Sequence, residues 1–153
     1  MQPTNRLVKS GAIFFVLWGV LHIAVGLGGA MIYLTRGPIG LIAVFGGSAA
    51  PAEAHALVRL AAHIALDFLL VLTGYGLLAI WGAVLIWQGR WLGFWLNTIL
   101  LGIADAAFMV ALMIPGETPI SEGIWGPIFY VLGVTFTAAG MCRRHAAGAA
   151  SRP

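Results

Sequence analysis

The stretch LLAIWGAVLIWQGRWLGFWLNTIL, residues 77–100, decides the fold. Two long apolar runs meet in it, and only Gln88, Gly89 and Arg90 separate them. A connection that short joins antiparallel neighbours and nothing else, so the flanking runs form a helical hairpin. Followed outward, the first run reaches back to Leu60 and the second forward to Ile114. Each is longer than the roughly 20 residues a helix needs to cross a hydrocarbon core. Two further runs, 11–34 and 123–142, are of the same kind. The predicted fold is all-α: an integral membrane four-helix transmembrane bundle, multi-pass in the cell membrane, with spans at about 11–34, 60–87, 91–114 and 123–142 and residues 1–153 in a single domain.

Composition points the same way. Hydrophobic residues make up 61% of the chain and charged residues 8%, against roughly a quarter charged in soluble domains. The formal charge of +3 comes from a few basic residues near span ends. That is not a stripe able to neutralise a row of phosphates, so nucleic acid is excluded as a partner. Cys142, the one cysteine, has no partner for an internal disulfide and reads as packing or a weak thiol. Arg6 and Lys9 precede an apolar run, as in a secretory signal, but 11–34 is too long for a signal core and reads as a retained helix.

Six basic residues, Arg6, Lys9, Arg90, Arg143, Arg144 and Arg152, flank one side of the predicted bundle, and only Arg36 and Arg59 the other. The positive-inside rule then puts the N- and C-termini in the cytoplasm, with Glu53, Glu117 and Glu122 outside. Trp81, Trp87, Trp91 and Trp95 cluster around the hairpin and read as an aromatic belt. The segment IGLIAVFGG, 39–47, is too short to cross and reads as an interfacial or re-entrant piece. PGETPISEG, 115–123, has turn chemistry.

Ionisable side chains inside the spans are the candidates for function: His22, His63, Asp67 and Asp105. An aspartate at the bilayer centre costs about 2.5–3.5 kcal/mol on insertion scales, so each is expected to face the bundle and find compensation. At about 1.5 Å of rise per residue, His22 comes roughly 16 Å and Asp105 roughly 21 Å above the inner edge, with Asp67 roughly 10 Å below the outer edge of a core about 30 Å thick. That convergence predicts one polar layer in the outer half, with His63 one turn above Asp67 and Tyr130 within reach. Thr98 and Met109 share the face of Asp105 and extend it. Gly19, Gly26 and Gly29 share a face with His22, and Gly133 and Gly140 one with Tyr130 and Thr137, so these small-residue faces are expected to point at other helices. An ion pair, a shared proton, or a neutral histidine on a metal or haem with an aspartate orienting it would each stabilise such a layer. Interhelical hydrogen bonding alone is the simpler alternative.

The segment WGVLHIAVGLGG, 18–29, followed by three more spans, resembles small bacterial four-helix membrane proteins of the broad DoxX-like kind. The resemblance implies a four-helix membrane bundle and, for some members, a link to quinone-coupled or thiol redox chemistry. With one cysteine in the chain, no functional residue is carried over. HIALD, 63–67, is similar to the histidine and acid pairs of membrane-embedded sterol isomerases.

Three functions fit these readings. The preferred one is acid–base chemistry on, or binding of, a lipophilic small molecule by Asp67, Asp105, His63, His22 and Tyr130, in the manner of an isomerase, cyclase or hydratase and without a cofactor. A redox protein holding haem or metal through His22 and His63, or a quinone, stays open, although the two histidines differ in depth by roughly 10 Å. The third is an accessory subunit docking through its glycine faces, in a homo-oligomer or a larger membrane complex.

Overall fold

The computed structural model describes residues 6–44 and 55–150. Among these residues five helices follow one another: α1 Arg6–Val44, α2 His55–Trp87, α3 Trp91–Met113, the single turn α4 Ile120–Gly123, and α5 Trp125–Ala150. Among the described residues there is no strand. Four stretches of the described residues are long and apolar enough to cross a membrane: Arg6–Val44, Ala56–Trp87, Trp91–Met113 and Ile120–Ala146. The four-helix reading of the sequence therefore holds.

Helix ends differ from the expected ones where hydropathy says little. α1 runs past Leu34 and bends at Gly37, whose φ of 70° lies in the left-handed region open to glycine, and Pro38 follows. The segment expected as a separate interfacial piece is a short helical leg beyond this bend; its residues 45–47 lie outside the described residues. α2 starts at His55, five residues ahead of the expected Leu60.

The hairpin is built as its sequence predicts. Gly89 has φ 77°. Its N–H donates to the Ile86 carbonyl at 2.7 Å, and the Arg90 N–H to the Leu85 carbonyl at 2.9 Å. These are the paired bonds of a Schellman ending, in which a left-handed glycine satisfies the last carbonyls of the helix.

α1 packs along both α2 and α5, and α3 closes the bundle against α2 and α5. Small residues allow these contacts. A Cβ on Gly19 would lie 2.6 Å from the Gly76 carbonyl oxygen, and one on Gly76 would lie 2.6 Å from that of Gly19. The backbones of α1 and α2 therefore touch, an approach that only glycine permits. Gly26 meets Thr73 and Leu69, and Gly29 meets Leu69. Gly11 meets Thr137 and Gly133, while Gly140 meets Val8. Around these seams Val8, Phe15, Trp18, Ala79, Ile86, Phe94, Leu101 and Met141 form the buried core. Trp18 is fully buried, whereas Trp81, Trp87, Trp91 and Trp95 are exposed.

Two widened turns interrupt α3, at Asn97–Leu101 and Met109–Met113. Such π turns carry an extra residue and loosen the regular ladder of backbone bonds. Asn97, 2% exposed, uses the first of them to reach α2, where its Nδ2 donates to the Ala79 carbonyl at 3.1 Å.

Candidate functional site

Trp18 and His22 stand one turn apart on α1 and stack, with ring centroids 3.5 Å apart and planes 17° from parallel. The same turn joins them a second way, since His22 Nδ1 lies 2.7 Å from the Trp18 carbonyl oxygen. A carbonyl only accepts, so Nδ1 carries the proton, and in the neutral ring Nε2 is left with a lone pair. The Trp18 indole N–H points across to α3 and is shared between the two carboxylate oxygens of Asp105, at 3.2 and 3.1 Å.

Asp105 is 5% exposed. Among the described residues this shared N–H is its one hydrogen-bond donor, and no Lys, Arg or His comes within ion-pairing distance. A carboxylate offers about four lone-pair directions, so one shared donor leaves most of its accepting capacity uncommitted. In an apolar bundle that arrangement is costly for a group serving structure alone.

α5 supplies the third wall. A Cβ placed on Gly126 would lie 3.1 Å from His22 Cε1, 3.4 Å from His22 Nε2 and 3.4 Å from Asp105 Oδ1. The histidine and the carboxylate thus converge on the bare face of this glycine, which leaves little room for even a methyl group. Tyr130, one turn further along α5, lays its ring on Gly102, one turn before Asp105 on α3. Its hydroxyl donates to the Thr98 carbonyl at 2.8 Å, inside the first widened turn. The structure therefore brings together His22, Asp105 and Tyr130, with Trp18, Gly102 and Gly126 holding them.

His63 and Asp67 are placed elsewhere, and the expected single layer of four ionisable groups is corrected on this point. The α1–α2 seam pairs Gly19 with Gly76, Gly26 with Thr73, and Tyr33 with His63. His22 is therefore level with α2 between Gly76 and Thr73. Asp67 lies six residues beyond Thr73, about 9 Å of rise, and His63 lies ten residues beyond it, about 15 Å. Both are exposed. Depth counted from the hydropathy edge of each helix fails because the register of α2 against α1 is set by the Gly19–Gly76 contact, which leaves Asp67 nearer the Tyr33–His63 end than the count implies.

His63 has a partner of its own. Its Nδ1 donates to the Arg59 carbonyl at 2.6 Å, and its Nε2 accepts from the Tyr33 hydroxyl at 3.1 Å. With Nε2 so engaged, and at that distance along the bundle, His63 does not face His22 across a haem. Among the described residues, no three His, Cys, Asp or Glu side chains are grouped as metal ligands.

The flanking expectations divide as well. Gly19, Gly26 and Gly29 do face a neighbouring helix, but it is α2, whereas His22 looks toward α3 and α5. Gly133 and Gly140 face α1, against Phe15 and Val8. Thr98 contributes its carbonyl and not its hydroxyl, which is buried without a hydrogen bond. Met109 is exposed.

Trp18 and Asn97 were not among the residues singled out by sequence reasoning. Trp18 stands four residues before His22, hence on its face, and that spacing could have found it. Asn97 is a polar amide inside an apolar run, open to the same reasoning that selected the aspartates.

Compared with protein-family models, with curated protein sequences and with solved structures, the chain matches none.

Proposed function

We propose that this is a multi-pass membrane protein whose His22–Asp105 centre binds a polar group on a lipophilic small molecule and exchanges a proton with it. The supporting observation is the Asp105 carboxylate: buried between helices, held by one shared indole N–H, and converging with the free Nε2 of His22 on the bare face of Gly126. A hydroxyl brought to this point meets two acceptors, Nε2 of His22 and the Asp105 carboxylate, either of which can take its proton. The apolar bundle around it suits a guest that enters from the bilayer. The basic residues at the end bearing both termini support a cytoplasmic placement of that end. Kinship with DoxX-like proteins is part of the same proposal and rests on residues 18–29 and the four-helix architecture.

The test compares the unaltered protein with Asp105→Ala and Asp67→Ala, each purified in mild detergent, extracted with organic solvent and analysed by mass spectrometry. The expected result is a non-phospholipid molecule retained by the unaltered protein and by Asp67→Ala, and reduced about tenfold or more in Asp105→Ala, the equivalent of one lost charge-assisted hydrogen bond. Identical extracts from all three contradict the reading.

Docking to another membrane subunit is favoured by a separate observation. Asp67 is exposed on an apolar helix, and Gly74, two turns away on the same face, has open space around it. A stoichiometric partner that survives purification with the unaltered chain and is lost with Asp67→Leu would carry that reading.

A further inference from the structure

At the end of the bundle where α1 begins and α5 finishes, Gly89, Trp91, Met141, Arg144 and His145 line a cleft of about 170 Å³ between the α2–α3 hairpin and α5. The cleft is smaller than the roughly 300–1,000 Å³ of sites that enclose a whole organic ligand. Its size suits a head group whose remainder lies outside.

The chemistry of the walls is cationic. Arg144 lays its guanidinium on the hairpin glycine: a Cβ on Gly89 would come 2.5 Å from Nη1. Gly89 holds that place through its left-handed φ, so the turn that reverses the chain also provides a flat seat for the cation. Among the described residues Arg144 makes no hydrogen bond and no ion pair, which leaves its planar fork of N–H donors uncommitted. Arg6, Lys9, Arg90 and Arg143 belong to the same end, and Lys9 lies 5.1 Å from the centre of the Trp87 ring.

No described carboxylate is available to neutralise this end. Asp67 and Asp105 lie within α2 and α3, and Glu117 and Glu122 belong to the connection at the opposite end. Among the described residues, then, no anion complements Arg144. Exposed Trp87, Trp91 and Trp95 surround the hairpin, and aromatic rings of this kind settle at head-group depth, which puts the cleft level with lipid phosphates.

We propose that this cleft binds the phosphodiester of an anionic phospholipid, with the Arg144 fork on the phosphate oxygens and Trp91 against the glycerol or upper acyl carbons. Basic pockets between helix ends recognise such head groups by charge and fork geometry together. The proposal rests on the chain being membrane-embedded and is independent of any role for Asp105.

The experiment is native mass spectrometry of the full chain in neutral detergent, titrated with phosphatidylglycerol or with phosphatidylcholine, whose choline cancels the phosphate charge. The expected result is about five- to tenfold greater retention of phosphatidylglycerol, lost in Arg144→Gln and kept in Arg6→Gln, which removes the same charge from the same end but not from the cleft. Equal retention of the two lipids by the unaltered protein overturns the proposal without any variant, so it stays testable even if Arg144→Gln does not fold. An equal loss in Arg6→Gln overturns it in favour of diffuse surface charge. Inorganic phosphate that displaces phosphatidylglycerol at matched concentration overturns the lipid source and leaves a soluble phosphate as the ligand. Failure to retain either lipid overturns the proposal as well, whereas an unchanged result in Asp105→Asn separates this cleft from the His22–Asp105 centre.

Discussion

His22 and His63 begin alike and end differently. Each is on a long apolar helix, and each points Nδ1 at the carbonyl one turn back, at 2.7 and 2.6 Å respectively. The difference lies at Nε2. His63 accepts a hydroxyl hydrogen bond from Tyr33 on an exposed surface, while His22 stacks on a buried tryptophan and meets a carboxylate at the bare face of Gly126. The two aspartates divide in the same way, Asp105 enclosed between helices and Asp67 exposed. Local helical geometry sets the tautomer of both histidines; only the crossing of helices decides which of them has chemistry left to perform.

That contrast breaks most readily at the tryptophan. Trp18→Ala empties a fully buried position and is expected to destabilise the bundle by about 3–5 kcal/mol, against about 0.5 kcal/mol or less for exposed Trp81→Ala, measured by reversible denaturation in detergent. The carboxylates come next. Asp105→Ala leaves the Trp18 N–H unpaired and is expected to cost about 1–3 kcal/mol, while Asp67→Ala stays within about 0.5 kcal/mol in the same assay. A comparable loss for both would erase the distinction between the two regions.

Gly126→Ala sharpens the comparison. The new methyl occupies the point 3.1 Å from His22 Cε1 and 3.4 Å from Asp105 Oδ1, and the expected result is about tenfold less of the co-purifying lipophile, a change of about 1.4 kcal/mol. Gly74→Ala, placed in open space, leaves that amount unchanged. The smallest effect belongs to Tyr33→Phe, which removes the donor to His63 at an exposed site and is expected to shift stability by less than about 0.5 kcal/mol.

The spans and the hairpin were legible because both are local properties. A continuous apolar run declares a helix, and Gln88–Gly89–Arg90 allows one kind of reversal. The pairing of His22 with Asp105 was legible in outline, since both are ionisable residues that count to a similar depth. The register of α2 was not, because it is set by the mutual contact of Gly19 and Gly76, and nothing in either helix alone selects that pair among the many glycines available. The widened turn at Asn97–Leu101 is likewise invisible in the hydropathy pattern: its side-chain bonds, Asn97 to Ala79 and Tyr130 to Thr98, run between helices.

The most direct test is a pair of double-mutant cycles read by unfolding in detergent. The first combines Trp18→Phe with Asp105→Ala, and the second combines Trp18→Phe with Asp67→Ala. A non-additivity of about 1 kcal/mol is predicted for the first cycle, and additivity within about 0.5 kcal/mol for the second. Additivity at Asp105, or coupling of equal size at Asp67, would contradict the enclosed centre between α1 and α3.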